Sequence, residues 1–253
     1  MSTLVVIPAR LGATRLPRKP LRLLGGQPLV LQVWRRVCAL GVADRCVVAT
    51  DDAEVARVLD AAGADCVLTR SDHPSGTDRV AEVAACAEGA SYDVIVNVQG
   101  DEPFIPAAAV RGAAALVSSG RFPLGTAAAI AHPRILGEPN VVKVVCADDG
   151  RALYFSRAAV PFLRDGGDEP LLERTVRHHI GVYAYTREAL ARWVALPPHP
   201  LERIERLEQL RPLAAGIPMG VASIEDAAPI GIDTEDDLAR ANERWRHFSA
   251  DQG

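Results

Sequence analysis

Short apolar runs alternate with segments of helical periodicity through the N-terminal half of the chain, and few architectures accommodate that alternation. Residues 4–7, 46–50 and 66–68 are almost wholly apolar, and 93–99 is rich in β-branched side chains, as expected of short strands buried on both faces of a sheet. Between them, Val30, Val33, Trp34, Val37 and Cys38 recur at helical spacing behind Pro28, followed by Val55, Val58 and Leu59, and then by Val80, Val83 and Ala84. Strands separated by helices of this length predict an α/β fold with a doubly wound, mixed but mostly parallel sheet and right-handed crossovers. Ligands in such sheets sit outside the carboxyl ends of the strands. The loops after these runs are therefore the places to look for chemistry.

From about residue 121 the alternation loosens. Residues 124–130, 140–146 and 180–185 predict strands, and a tight turn at Asp148, Asp149 and Gly150 leads into another over 152–155. Helices are predicted over 187–194 and, after a proline-rich break, over 201–211. On the second of these, Glu205, Glu208 and Gln209 would share one face. Thr234 and Asp237 form a Thr-x-x-Asp variant of the capping box ahead of a last helix carrying Leu238, Ala241 and Trp245.

Composition narrows the class. With 49% hydrophobic and 24% charged residues and a net charge of -4, the chain is an ordinary globular one without the basic surface that nucleic-acid binding needs. No apolar run reaches the length of a membrane span, and the N-terminus lacks the pattern of a signal peptide, so a cytoplasmic protein without membrane insertion is expected. Cys38, Cys46, Cys66, Cys86 and Cys146 show no C-x-x-C spacing and are expected to be reduced core thiols.

Against that acidic background the loop after the first strand concentrates Arg10, Arg15, Arg18 and Lys19. Cations at several points, with Gly12 and Ala13 permitting close backbone approach, suit a polyphosphate. The spacing matches neither the P-loop nor the dinucleotide fingerprint, which argues against a P-loop kinase and an NAD oxidoreductase. Ser75 has no base placed beside it by the sequence, so no covalent nucleophile is indicated. His73, His132, His179, His199 and His247 show no metal spacing, and Trp34 and Trp245 read as packing residues.

The stretch Ile7, Pro8, Ala9 and Arg10, followed by Thr14, Arg15, Leu16 and Pro17 and by Lys19 and Pro20, resembles the signature of the sugar nucleotidyltransferases, in particular the 3-deoxy-manno-octulosonate (Kdo) cytidylyltransferases. The resemblance continues in order through Ser75 to Arg79, Asn97 to Pro103, Val142 to Val145, Leu153 to Arg157, Arg177 and His178, Gly181 to Tyr183, Leu207 to Arg211 and Asp233 to Leu238.

The resemblance implies a three-layer α/β/α, Rossmann-like nucleotidyltransferase fold with a smaller sugar-binding and dimerisation lobe. It treats residues 1–253 as one domain, with a nucleotide-binding half over about 1–120 and the sugar-binding and dimerisation part over about 121–253. It implies CTP and Kdo as substrates, Mg²⁺ as cofactor and a homodimer. Transfer of CMP to the anomeric hydroxyl of Kdo would supply lipopolysaccharide synthesis. Arg10, Lys19, Asp101 and Asp233 are the implied catalytic residues, with Asp101 and Asp233 on the metal. Pro8, Ala9, Arg10, Arg15, Lys19, Ser75, Gly76, Arg79 and Gln99 are matched to the nucleotide, and Gln99, Arg157, His178, Tyr183, Glu208 and Gln209 to the sugar. Arg18 departs from the small residue associated with its position and is either an extra phosphate contact or solvated. Another sugar acid, such as 8-amino-Kdo or a sialic-acid-like substrate, and a non-catalytic nucleotide-binding regulator remain as alternatives.

Overall fold

The structure, a computed structural model, describes residues 1–12, 15–86, 89–225 and 231–248; Ala13 and Thr14 of the cationic loop lie outside them. Two compact units share the chain. One comprises Ser2–Tyr92, Asn97–Ile105 and Pro229–Gly253, the other Asp93–Val96 and Pro106–Ala228.

The first unit carries β1 (Thr3–Ala9), a small hairpin of β2 (Leu23–Leu24) and β3 (Gln27–Pro28), α1 (Leu29–Ala39), β4 (Arg45–Thr50), α2 (Ala53–Ala61), β5 (Cys66–Leu68) and α3 (Gly76–Ala85). Strand β1 pairs in parallel with β4, from Leu4 opposite Arg45 to Ala9 opposite Thr50, and β4 pairs in parallel with β5. Val5, Val6, Ile7, Val47 and Val48 are fully buried. Each is worth about 1.5–3 kcal/mol in apolar burial, which is why this uniformly apolar sequence forms the centre of the unit. Helix starts are set by side-chain caps: Asp52 accepts from the amides of Glu54 and Val55 at 2.8 and 3.1 Å, and Ser75 from that of Asp78 at 3.3 Å. Gly76 and Arg79 therefore lie on α3, with Ser75 as its cap.

Strand β6 (Val94–Val98) has residues in both units. The second unit continues with α4 (Ala107–Ser118), β7 (Leu124–Ile130), β8 (Lys143–Cys146), β9 (Ala152–Ser156), α5 (Glu169–Thr175), β10 (Arg177–Thr186), α6 (Arg187–Ala195), α7 (Pro200–Glu205), α8 (Leu210–Ala214) and β11 (Met219–Ile224). Here β7 runs antiparallel to β10 and parallel to β11, while β8 runs antiparallel to β9 and to β10. The helix expected over 201–211 is broken. It stops at Glu205, Arg206 turns left-handed with φ 56°, and a new helix begins at Leu210. Pro212 explains the restart: deep in one continuous helix it would remove a backbone donor and clash with the preceding turn, whereas in the first turn of α8 no donor is needed. Glu205, Glu208 and Gln209 consequently do not share a helix face.

The chain closes in the first unit with α9 (Glu235–Phe248). Its cap is the reciprocal pair expected, the Asp237 amide donating to Thr234 Oγ1 at 3.1 Å and the Thr234 amide to the Asp237 carboxylate at 2.9 Å. Trp245 anchors the helix against Gly25 and Phe104, its ring centroid 5.7 Å from that of Phe104. A Cβ at Gly25 would lie 2.2 Å from the indole, and the residue's φ of 56° also favours glycine. The cysteines are free, but of the five only Cys46 is buried, Cys38 is exposed and the other three are half-buried. The expectation of core thiols therefore holds for Cys46 alone.

Candidate active site

A cavity of about 370 Å³ opens in the first unit at the carboxyl end of β1. Its wall includes Pro8, Ala9, Arg10, Arg15, Lys19, Ser75, Gly76, Arg79, Gln99, Asp101 and Asp233, so every position matched to nucleotide or metal meets in one place. Local chemistry explains how. Gly100 lets the segment after β6 come against β1, since a Cβ there would stand 2.8 Å from the Pro8 carbonyl oxygen. Asp233 is held by the turn before α9, where the Ile232 amide donates to the Asp101 carbonyl at 3.1 Å and the Asp233 amide to Asp237 at 3.2 Å.

The electrostatic centre is Lys19. Its Nζ lies 2.6 Å from Asp101 Oδ2 and 2.8 Å from Asp233 Oδ1, and Arg15 reaches Asp233 Oδ2 at 2.9 Å. Burial works against the Lys19 charge, but the two carboxylates outweigh it and hold the ammonium above the ordinary lysine range. Beside them, burial, reinforced by the charges of Asp101 and Asp233, pushes the Glu102 carboxyl up to about 8, and among the described residues its Oε2 has no hydrogen-bond partner. Arg79 is 3% exposed; its guanidinium donates to Thr69 Oγ1 and to the Arg70 carbonyl at 3.3 Å, and pairs with Asp51 at 3.2 Å.

Arg18 is exposed, in keeping with the solvated alternative. It sits left-handed with φ 58° and pairs with Glu54 at 2.5 Å, and it is not part of the cavity wall. Sequence reasoning passed over Glu102, which adjoins Asp101, and His73, a lone histidine that no pattern singles out; the structure puts His73 in the cavity wall.

The residues fit the Mg²⁺ that the resemblance implies. Asp101 and Asp233 present two hard carboxylates converging on one cation, the Lys19 ammonium, and this is the donor type Mg²⁺ takes. Among the described residues no group of three or more His, Cys, Asp and Glu side chains could hold a metal. The remaining ligands would then be phosphate oxygens and water.

The positions matched to the sugar, Gln99 apart, lie in the second unit. The Arg157 guanidinium donates to the carbonyls of Glu205 at 2.8 Å and Pro139 at 3.1 Å, and its amide to the Glu205 carboxylate at 2.9 Å. Its own carbonyl accepts from Lys143 Nζ at 2.6 Å. His178 pairs in register with Lys143 across β8 and β10, and burial, with the Lys143 charge, lowers its pKa. The Tyr183 hydroxyl is raised well above the ordinary tyrosine range by burial, then by the charges of Tyr185 and Glu208. Gln209 is 3% exposed just before α8. The structure thus gathers Arg157 and His178 around Lys143.

Comparison with known proteins agrees with this geometry. The family model described as cytidylyltransferase matches residues 4–223. The chain belongs to the cytidylyltransferase family. Within the family, a 3-deoxy-manno-octulosonate cytidylyltransferase of Gemmatimonas aurantiaca is 63% identical over 245 residues, spanning 97% of this chain and 95% of the relative. One of Methylococcus capsulatus is 48% identical, spanning 97% and 96%. The solved structure of a CMP:2-keto-3-deoxy-manno-octonic acid synthetase complexed with CTP superposes with a TM-score of 0.88 at 34% identity, covering 98% of this chain and 99% of that one. The inositol-1-phosphate CTP transferase of T. maritima, at 14% identity and a TM-score of 0.67, shares the α/β nucleotidyltransferase fold. Among the described residues no helix is long and apolar enough to cross a membrane.

Proposed function

We propose that this cytidylyltransferase transfers CMP from CTP to the anomeric hydroxyl of Kdo, releasing pyrophosphate and supplying activated sugar for lipopolysaccharide. The observation that carries the reading is the cavity in which Lys19 joins Asp101 to Asp233 beside Arg10 and Arg15. An anionic sugar must approach an anionic triphosphate, and charge grows on the leaving oxygens as the bond between the α-phosphorus and its bridging oxygen breaks. Arg10, Arg15 and Lys19 hold the phosphates that leave. Asp101 and Asp233 would hold Mg²⁺, which when bound supplies Lewis-acid neutralisation of phosphate charge. Pro8, Ala9, Ser75, Gly76, Arg79 and Gln99 shape the nucleotide pocket. Arg157, His178, Tyr183, Glu208 and Gln209, together with Gln99, are assigned to the sugar. The sugar hydroxyl oxygen bonds to the α-phosphorus and loses its proton as pyrophosphate departs.

The protein works in the cytoplasm as a homodimer; the exposed apolar side chains of Phe162 and Leu171, 80% and 61% accessible, are consistent with a covered surface. Pyrophosphate release from CTP with Kdo tests the assignment. Release with Kdo above other sugar acids supports it, and silence with every sugar acid tried favours a nucleotide-binding regulator.

A further inference from the structure

His73 lies in the cavity wall with a side chain only 5% exposed, and its ring is fixed from behind. Nε2 is bonded to Glu82 Oε2 on α3, and the same carboxylate oxygen accepts the Arg70 amide at 3.1 Å. Glu82 therefore ties both ends of the segment ahead of α3 to the helix. A carboxylate accepts and does not donate, so Nε2 carries the proton of the neutral ring and Nδ1 is left as an acceptor. Nδ1 has no protein partner among the described residues. It is also absent from the buried polar atoms that lack one among the described residues, such as Asn97 Oδ1 and Glu102 Oε2. The ring that carries it lines the cavity.

The other polar groups on this side are engaged. Arg79 is spent on Thr69, Arg70 and Asp51, and Ser75 Oγ donates to Asp78 at 2.6 Å. Among the described residues His73 has no bond to the Lys19 cluster assigned above to the phosphates, which leaves its ring available to another part of the nucleotide.

We infer that His73 is a specificity-determining residue for the nucleobase, its Nδ1 accepting a hydrogen bond from the exocyclic amine of cytosine. This rests on the CTP reading above. Uracil presents a carbonyl oxygen where cytosine has the amine. Two acceptors then face each other, and binding loses about tenfold or more. Glu82 is the positioning residue, because it selects the tautomer as well as the place of the ring.

The test is titration calorimetry of CTP and of UTP, without sugar, on the wild type, His73→Phe and His73→Asn. Phenylalanine keeps a ring and removes the acceptor; the asparagine amide oxygen stands where Nδ1 does. The wild type is expected to bind CTP more tightly than UTP. His73→Phe should narrow the ratio about tenfold, chiefly through weaker CTP binding, and His73→Asn should retain part of it. Wild-type discrimination in His73→Phe overturns the inference, as does a wild type that binds both nucleotides equally. Should His73→Phe not fold by circular dichroism, His73→Leu takes its place with the same two outcomes. Pyrophosphate release by the wild type from CTP and Kdo separates the cases. Turnover with an unchanged ratio in the variant sinks only the role of His73, whereas no CTP binding or turnover sinks the reading beneath it.

Discussion

Replacing Lys143 with methionine probes the least expected feature of the second unit. Lys143 is fully buried, and its ammonium donates to the carbonyls of Glu138, Val141 and Arg157 at 3.0, 2.8 and 2.6 Å. Hydrogen bonds from a charged donor are worth about 1.5–3 kcal/mol each, so the substitution forgoes roughly 5–9 kcal/mol and leaves three carbonyls without this donor. Against that stands the cost of burying an ammonium, several kcal/mol, which methionine does not incur. Burial is the largest influence on the group and lowers its pKa, so that cost is present in the native protein. The net expectation is a loss of about 2–4 kcal/mol, a large share of a typical folding free energy. Urea unfolding followed by circular dichroism and by tryptophan fluorescence, with Trp193 reporting the second unit, measures it. Because the three carbonyls include that of Arg157, the KM for Kdo should also rise while that for CTP stays unchanged. A loss below about 1 kcal/mol would refute the reasoning, since the carbonyls would then find equal partners without the lysine.

Lys19→Met should depress kcat far more than it raises the KM for sugar, because the ammonium lines the cavity proposed for the triphosphate; steady-state kinetics with each substrate varied in turn decide it, and an effect confined to the sugar KM contradicts the assignment. Gly100→Ala forces a Cβ to within 2.8 Å of the Pro8 carbonyl, and the backbone shift should cost about 1–3 kcal/mol and weaken CTP binding; unchanged calorimetric affinity and unfolding midpoint would show that the segment relaxes freely. His179 is pushed to about 3 by burial, then by His178, from an ordinary value of 6.5. The unfolded chain therefore binds a proton that the native protein does not, and this contribution to stability is lost as pH falls from 6.5 towards 3, by about 1.4 kcal/mol per unit. Urea midpoints between about pH 6.5 and 5 should fall less steeply in His179→Phe; parallel curves would exclude the histidine as the cause.

Much of the fold was legible because burial on both faces leaves a strong mark. The runs that became β1, β4, β5 and β6 are apolar or β-branched, and the helices between them keep one apolar face. Caps were legible too, as at Thr234 and Asp237, since they depend on residues three apart. The broken helix after Pro200 was not, although its cause, Pro212, was visible: apolar spacing favoured continuity, and only the packing of Glu202 with Arg211 at 2.6 Å and of Glu205 with Ser156 at 2.6 Å settled the turn at Arg206. Lys143 was equally opaque, because a lysine between valines signals an exposed face unless three carbonyls wait to receive it.

The sequence by itself determined the class of chemistry. An acidic chain that concentrates arginine and lysine after its first buried strand suits a polyanion there, and local composition suffices to point to it. Only the tertiary structure decided which carboxylates that charge would meet. Lys19, Asp101 and Asp233 lie up to 214 residues apart along the chain, and a contact between groups so separated is written in no local pattern. It exists because Gly100 lets one segment lie against β1 and the cap of α9 holds the other. Charge reveals itself in sequence, but the distance over which charge acts is a property of the fold.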